Sequence, residues 1–230
     1  MNRLHALADG LWILAGDPIA FLGFPYDIRA TVVRLDGGDL LVHSPVQVSA
    51  LSALAALPGA VKYIVTPNKL HHVFLADWQR ALPAARLYAP PGLRGKRPDL
   101  QFVGELGERP AAAWSGTLEQ TLVRGSLFMT EVVFFHRASR TLILGDLIEN
   151  HDPARFGVLQ RSIARCNAML APRGSTPRNF RWTFLRRDAL RRDLDVIAAW
   201  NPARVVVAHG PIVEQNAAEF LAHAFRWARR

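Results

Sequence analysis

The chain has 230 residues, of which half are hydrophobic and 20% are charged, a composition typical of a globular domain rather than of a disordered or fibrous chain. Its single cysteine, Cys166, excludes an internal disulfide and a cluster of thiolate ligands, so any metal would need His, Asp, Glu or Asn. No apolar run approaches the roughly 18 residues of a membrane span, and the first residues lack the pattern of a secretory signal. We therefore expect a cytoplasmic protein without a membrane span. The net charge of +9 permits an acidic substrate, nucleic acid or a membrane surface as partner.

The first half of the chain alternates between strand-like and helix-like patterns. Two strand patterns, Leu11–Ala15 and Thr31–Leu35, precede the turn sequence Asp36-Gly37-Gly38-Asp39. The elements predicted after this turn are the strand Leu40–His43, the helix Val46–Leu57, the strand Val61–Thr66, the helix Leu70–Leu82 and the strand Ala85–Ala89. This alternation predicts a layered α/β architecture.

The second half begins with a loop-rich stretch, residues 90–110. The elements predicted beyond it are the strands Leu118–Arg124, Glu131–His136 and Thr141–Gly145, the helix Asp188–Trp200, the strand Arg204–Ala208 and the helix Glu214–Arg229. Residues 151–186 combine short amphipathic patterns with prolines and a glycine that interrupt them. We predict one domain over residues 1–230, a four-layer αββα sandwich, in which residues 151–190 form a helical insertion or a lid.

Polar side chains stand where four predicted strands end. His43 follows one strand, His71 and His72 follow a second after a short loop, Asp146 follows a third, and His209 follows a fourth. Each has an ordinary structural explanation when taken alone, as a helix cap, a turn residue or a core histidine. Ligands in layered α/β folds collect at strand ends, because the loops there converge without disturbing the core. The combination therefore indicates a site, although no single motif does.

Three of these segments, in this order and spacing, resemble motifs of the metallo-β-lactamase fold superfamily, and most of all its divergent DUF4336 branch. The family's first motif is a strand ending in Thr and followed by His-x-His-x-Asp-His, and the counterpart here is the run from Thr66 to His72, TPNKLHH. The family's strand, hairpin and strand ending in Gly-Asp match Val132–Asp146. Its buried strand followed by His-Gly-Pro matches VVVAHGP at 205–211. The resemblance implies the αββα sandwich and a metal site at the strand ends.

The first of the family's two metal sites is altered in this chain. Pro67 and Lys69 stand at the positions of its first two histidines, and Leu127 falls near the third. Proline and leucine have no side-chain donor for a metal, and a protonated lysine repels a cation. The resemblance therefore implies that the first site is lost.

The second metal site of the family largely survives. His72 and His209 match its two histidines, Asp146 matches the bridging aspartate, and His71 stands where the family has an aspartate. These four residues suit one divalent ion, zinc in the first place and otherwise iron or manganese. No metal is expected if the site is vestigial.

We also expect catalytic or supporting roles for other residues near this site. Asp146 or Glu131 would orient a water molecule, and Lys69 would hold an anionic substrate or pair with Asp146. Glu131 and His136 are five apart on one strand and so point to opposite faces, of which we favour that of Glu131. His43, Asn68 and His136 complete the candidates as neighbours of the ligands.

The sequence leaves several functions open. The resemblance favours a metal-dependent hydrolase acting on a small substrate, anionic if Lys69 anchors it. The alternative is a repurposed, non-catalytic member of the fold that binds a small molecule or a partner. An iron oxidoreductase and a homodimer also remain open. Nucleic-acid binding is disfavoured, because aspartates interleave with the arginines of residues 173–192 and predict a solvated helix face there.

Overall fold

The strands in the first part of the chain carry apolar side chains on both faces. The computed structural model describes residues 3–229. In the fifth strand, Ala30 and Val32 face one core and Val33 faces another, as the alternation of side chains along a strand requires. A sheet with two apolar faces has to be covered on both sides, and this requirement leads to stacked layers.

Two sheets and a separate hairpin contain the strands. The first sheet has the spatial order β1-β2-β5-β6-β7-β8-β9 and the second has the order β10-β11-β12-β13. The strand bounds are β1 Leu4–Ala8, β2 Leu11–Ala15, β3 Ile19–Phe21, β4 Phe24–Tyr26, β5 Arg29–Arg34, β6 Leu40–His43, β7 Val61–Val65, β8 Arg86–Ala89, β9 Gly104–Glu105, β10 Leu118–Val123, β11 Glu131–His136, β12 Thr141–Ile143 and β13 Arg204–Val206. Strands β6 to β9 are parallel, β12 and β13 are parallel, and the other neighbours are antiparallel.

Helices cover the outer faces of both sheets. The helices are α1 Leu75–Ala81, α2 Leu93–Lys96, α3 Val158–Cys166, α4 Arg178–Arg181, α5 Arg187–Ala199 and α6 Ala217–Ala224, with 3-10 helices at Val48–Ala56, Pro153–Arg155 and Arg226–Ala228. The first 3-10 helix and α1 pack on the first sheet, whereas α5 and α6 pack on the second. A third core lies between the sheets and contains Leu41, Val132 and Phe134. The predicted four-layer αββα sandwich is confirmed.

Three predicted helices differ from the observed ones. The helix predicted over Glu214–Arg229 is shorter, Ala217–Ala224, and a 3-10 helix follows it. The segment predicted as the helix Val46–Leu57 is a 3-10 helix, and the Gln47 side chain before it bonds to the backbone of Asp17 and does not cap it. Helix α1 begins at Leu75, five residues later than predicted. Before it, the Asn68 carboxamide oxygen accepts from the Leu70 amide at 2.8 Å and holds the segment in turns.

Part of the positive charge of the arginine-rich segment 173–192 is neutralised by an ion pair, but two of the interleaved aspartates bind arginines outside this segment. Of the three aspartates Asp188, Asp193 and Asp195, Asp188 is the one whose ion-pair partner in the described residues lies in this segment, Arg191, at 3.2 Å. Asp193 is buried and binds Arg124 at 2.6 Å, and Asp195 pairs with Arg229. Among residues 3–229 no helix is long and apolar enough to cross a membrane.

Candidate metal centre

The sheet topology brings three separated sequence segments to one edge of the sandwich. Asp146 follows β12, and His209 follows β13, which lies parallel to β12. His71 lies in the turns after β7. Because the carboxyl ends of parallel neighbours meet at the same edge, residues that are far apart in sequence come together there.

His71, Asp146 and His209 form a compact cluster of metal-ligand atoms. The His71 Nε2 lies 3.2 Å from Asp146 Oδ2, and the His209 Nε2 lies 3.2 Å from Asp146 Oδ1. One donor atom from each residue lies within 4.8 Å of the other two, and no other group of three such residues meets this condition in the part of the chain described. Two imidazoles and a carboxylate suit zinc, iron or manganese.

The outer nitrogen of each imidazole has a partner that orients the ring. His209 Nδ1 lies 2.9 Å from the carbonyl oxygen of Asp27, which only accepts, so Nδ1 carries the proton. The Nε2 of neutral His209 is then a lone pair facing a carboxylate oxygen. Two acceptors at 3.2 Å repel each other unless a proton or a metal ion lies between them, so this pair fits a cation. His71 Nδ1 is held in the same way by the Ser44 hydroxyl at 2.6 Å.

Charges within the cluster shift its pKa values. Burial disfavours the ionised form of Asp146, but the charges and hydrogen bonds of His71 and His209 outweigh burial and hold its pKa well below the ordinary value. Burial also opposes a charge on His209, yet the hydrogen bond and the charge of Asp146 raise its pKa above the ordinary value. The cluster is therefore a place where positive charge is stabilised next to an ionised carboxylate.

A cavity of about 520 Å³ opens over the cluster. Its polar end contains the three cluster residues, Ser44, Tyr26 and Glu149, and most of the rest is apolar, with Ile28, Val46, Phe74, Met129 and Met169 in its wall. Arg29 also lines the cavity, but it donates to the Gly210 carbonyl, and burial lowers its pKa to about 10. A concave, mainly apolar site with a few convergent polar groups is typical of small-molecule binding.

Comparisons with known proteins agree on the architecture. Residues 11–93 match the family model described as "Domain of unknown function (DUF4336)". A DIM-1 metallo-β-lactamase exposed to ceftazidime superposes with a TM-score of 0.68 at 13% identity, covering 99% of this chain and 96% of that chain. The mono-zinc form of the metallo-β-lactamase FIM-1 from Pseudomonas aeruginosa gives a TM-score of 0.68 at 11% identity, with 98% and 94% covered. The chain has the metallo-β-lactamase fold.

A flavodiiron core shares this fold with the chain. The flavodiiron core of Flv1 from Synechocystis sp. PCC6803 superposes with a TM-score of 0.68 at 13% identity. The alignment covers 99% of this chain but 60% of that one. Among curated proteins no sequence matches. At these identities the likeness establishes the fold alone.

His72, which we predicted as a ligand, lies outside the cluster. Its Nδ1 is 3.1 Å from Arg97 Nη1, and its pKa is lowered by partial burial and by the charges of Lys96 and Arg97. The prediction assumed that a helix begins here and lets both rings lean the same way. The observed turns point the neighbouring rings to different partners, so the cluster contains His71 but not His72.

We expected Lys69 to anchor an anionic substrate or to pair with Asp146. Its ammonium lies over the Phe128 ring, 5.2 Å from the centroid, and its carbonyl accepts from Lys96. Lys69 is not among the residues that line the cavity, and it forms no ion pair with Asp146 in the described chain. The structure therefore does not bring Lys69 to the cluster.

Glu131 is enclosed by donors instead of facing the cavity. Its carboxylate accepts from the backbone amides of Gly145, Asp146 and Leu147 at 2.7 to 3.0 Å and from the Asn68 amide at 3.1 Å. It is 1% exposed, and burial together with the charge of Asp146 raises its pKa to about 7. Glu131 therefore holds the Asp146 loop in place, and it is not among the residues that line the cavity.

Asn68 connects this buried carboxylate to the cluster. Its Nδ2 donates to Glu131 Oε2 at 3.1 Å and to Asp146 Oδ2 at 3.0 Å. The amide thus lies between two carboxylates, a position where positive charge would also be stabilised. This contact agrees with the expectation that Asn68 neighbours the ligands.

His136 lies at the opposite end of β11 from Glu131. Its Nδ1 is 2.7 Å from the Ser139 hydroxyl, in the turn that leads to β12. His136 is thus a structural histidine at the far end of the sheet and does not neighbour the cluster.

His43 is buried between the two sheets. Its ring packs edge-on against Phe134 at 5.4 Å, and its Nε2 has no hydrogen-bond partner among residues 3–229. Burial, assisted by the charge of His71, lowers its pKa from 6.5 to about 3. His43 therefore stays neutral in the folded chain, whereas the same residue binds a proton in the unfolded chain below about pH 6.5.

This difference predicts a loss of stability on acidification. Between the unfolded and the folded pKa the unfolded state holds one extra proton, so the free energy of unfolding falls as pH falls, by about 1.4 kcal/mol per pH unit. We expect His43→Leu to remove this contribution and to flatten the dependence between about pH 6 and about pH 4. Urea unfolding of both proteins across this range checks the slope. Parallel stability curves for native and variant protein would contradict the prediction.

The sequence analysis missed the group formed by Tyr26, Glu149 and His151. The Tyr26 hydroxyl donates to Glu149 Oε2 at 3.2 Å, and His151 Nε2 contacts the same oxygen at 2.8 Å. The Tyr26 ring lies edge-on to both His151 and His209, and burial and the charge of Glu149 raise its pKa. The signal available was Glu149 and His151 directly after the Asp146 loop, in LIENH.

Proposed function

We propose that the protein is a mononuclear metal-dependent hydrolase that acts on a small molecule. The single observation that carries the proposal is that His209 Nε2 and Asp146 Oδ1 lie 3.2 Å apart, with His209 Nδ1 oriented by the Asp27 carbonyl. His71 adds a second imidazole. Three protein ligands leave room for water or substrate, as in catalytic rather than structural zinc sites.

The ligand set would hold one divalent ion, with zinc favoured by two imidazoles and one carboxylate. Such an ion supplies Lewis acidity at the polar end of the cavity. Ser44 and Asp27 keep the two imidazoles oriented, and Glu131 keeps Asp146 in place through its loop. The Asn68 amide occupies the space between the carboxylates of Glu131 and Asp146, which supports one ion instead of two.

In this proposal Glu149 orients a water molecule and accepts its proton, whereas we had expected Asp146 or Glu131 to orient the water. Glu149 lines the cavity, whereas the oxygens of Glu131 are occupied by four donors. Both side-chain contacts of Glu149 are made by Oε2, which leaves Oε1 available to a water molecule. The neighbouring Tyr26 hydroxyl holds this carboxylate at the polar end of the site.

The cavity favours a largely apolar substrate with one hydrolysable polar group. Its wall is mainly apolar, Lys69 is not among the residues that line it, and Arg29 is engaged with the Gly210 carbonyl. Lys96 also lines the cavity, so the proposal keeps an anionic group on the substrate at that position. Residues of the segment 151–190, such as Met169, Phe180 and Thr183, line one wall, so we propose this segment as a lid within a single domain.

The function is tested with a chromogenic aryl ester as probe. We expect ester hydrolysis by the zinc-loaded protein, its loss after metal removal, and a decrease of kcat by at least about 100-fold in Glu149→Gln with an unchanged zinc content. The exposed Glu214→Gln is the matched control and should retain native activity. Equal hydrolysis with and without metal would contradict the metal-dependent reaction. A protein that retains no metal would instead support the repurposed, non-catalytic alternative.

A further inference from the structure

Large apolar side chains are exposed around the mouth of the cavity. Of the thirteen exposed large apolar residues in positions 3–229, four line the cavity and six more lie on segments that adjoin it. We call these ten the apolar rim: Phe21, Leu22, Val73, Leu127, Phe128, Val158, Leu159, Ile163, Trp182 and Leu185. Single exposed apolar residues are common on soluble proteins, but a concentration of them around one opening marks an interaction surface.

Contacts between separate segments show that the rim is one surface. Leu22, at the tip of the β3–β4 hairpin, and Phe128 both line the cavity. The hairpin tip joins α3 through a hydrogen bond from Gln160 to the Gly23 carbonyl at 2.7 Å. On the other side, the Leu127 amide donates to the Thr183 carbonyl, next to Trp182. The rim therefore surrounds the opening from at least two sides.

The rim residues are too exposed to be part of a core. Leu22, Val158 and Trp182 are 84%, 84% and 82% exposed. Leu22 also has a positive φ of 49°, a conformation that a leucine adopts at a steric cost. Apolar side chains exposed to water and a strained backbone both lower the stability of the folded chain. A partner that covers these side chains would recover part of that loss.

Cations accompany the apolar rim. Six basic residues accompany it. Lys96 lines the cavity and Lys69 lies over the Phe128 ring, and four arginines lie within four residues of a rim member in the sequence, Arg165, Arg178, Arg186 and Arg187. In the described residues 3–229, none of the six forms an ion pair. The nearby acidic residues Asp27 and Asp188 are already paired, with Arg155 and Arg191. The surface thus combines apolar side chains with unneutralised positive charge.

We propose that the apolar rim docks on an anionic lipid membrane, with the cavity opening towards the bilayer. Apolar side chains enter the interface while lysines and arginines contact anionic headgroups. An apolar ligand could then pass between the bilayer and the cavity without crossing water. A second copy fits less well, because a twofold interface brings the same six cations towards each other. This inference does not depend on a bound metal.

Vesicle flotation tests the docking surface. We expect the full-length protein to float with phosphatidylcholine vesicles containing about 30% phosphatidylglycerol, at least about tenfold better than with phosphatidylcholine alone. Binding should fall about tenfold when salt is raised from about 0.05 M to about 0.5 M. No binding to the anionic vesicles would overturn the proposal.

Variants connect binding to the rim. The double variant Leu159→Ser/Ile163→Ser, and separately Leu22→Asn, should bind at least about tenfold more weakly. Asparagine suits the positive φ at position 22, so that this variant keeps the hairpin. Val196→Ser is the control, because Val196 on α5 is as exposed as Ile163, at 43% against 42%. Far-ultraviolet circular dichroism verifies the fold of each variant.

Two results would overturn the assignment to a membrane. Rim variants that bind anionic vesicles as tightly as the native protein would show that the rim is not the contact. A concentration-dependent dimer in analytical ultracentrifugation that the rim variants abolish, without vesicle binding, would assign the surface to a second copy.

Discussion

His71→Ala is expected to abolish metal binding, whereas His72→Ala is expected to leave it intact. The two histidines are neighbours in sequence, but only His71 contacts Asp146, and His72 faces Arg97. Loss of one of three ligands should weaken binding of zinc by at least about 100-fold, since even residues that only orient ligands contribute 10- to 100-fold. The native protein should bind about one equivalent. Elemental analysis and titration calorimetry with zinc measure both quantities.

The neighbouring histidine makes this comparison sharp. His72→Ala changes the same residue type in the same turns, so an effect of a general disturbance of these turns would appear in both variants. Metal loss in His72→Ala alone would favour the ligand set that the family pattern implies. Native metal content in both variants would show that the cluster binds no ion.

Glu131→Ala is expected to cause the largest loss of stability. Removing the carboxylate leaves three backbone amides and the Asn68 amide without their acceptor in a buried site. Breaking a buried charged network in this way costs about 3 to 5 kcal/mol, whereas a surface substitution costs little. Urea unfolding measures the difference in the free energy of unfolding, with the exposed Glu105→Ala as control.

Glu131→Gln separates positioning from charge. The glutamine oxygen can accept from part of the donor set, so we expect an intermediate loss of stability and a partial loss of zinc affinity, because the Asp146 loop is less well held. If Glu131→Ala were as stable as the control, the four contacts would contribute nothing. If Glu131→Ala does not fold, the free energy of unfolding of Glu131→Gln is compared with that of the native protein instead.

Much of the fold follows from periodicity and strand-end chemistry. A layered sandwich is predicted by strands that are apolar on both faces, such as Leu40–His43, and by the strand Val61–Val65, which is rich in β-branched residues. The positions of Asp146 and His209 directly after buried strands predict that they meet at one edge. These features are local, because two-residue alternation and a polar residue after a strand depend on neighbours in sequence only.

Choosing between His71 and His72 needed the tertiary structure. A sequence pattern does not show that the Asn68 side chain accepts a hydrogen bond from the Leu70 amide or that α1 begins only at Leu75. The rings of His71 and His72 therefore lie in turns and face different partners. The same holds for Glu131, whose face on β11 was predicted but whose donors come from another loop.

By itself, the sequence determined the sandwich, the edge at which the strands end, and the residue types that could bind a metal there, since these depend on periodicity and on chain order. Only the tertiary structure decided that His71, Asp146 and His209 form the cluster, that Glu131 is enclosed, and that Tyr26, Glu149 and His151 adjoin the site. The physical reason is that orientation of a side chain within a turn, and donors supplied across 60 or more residues, depend on long-range packing, which no local pattern encodes.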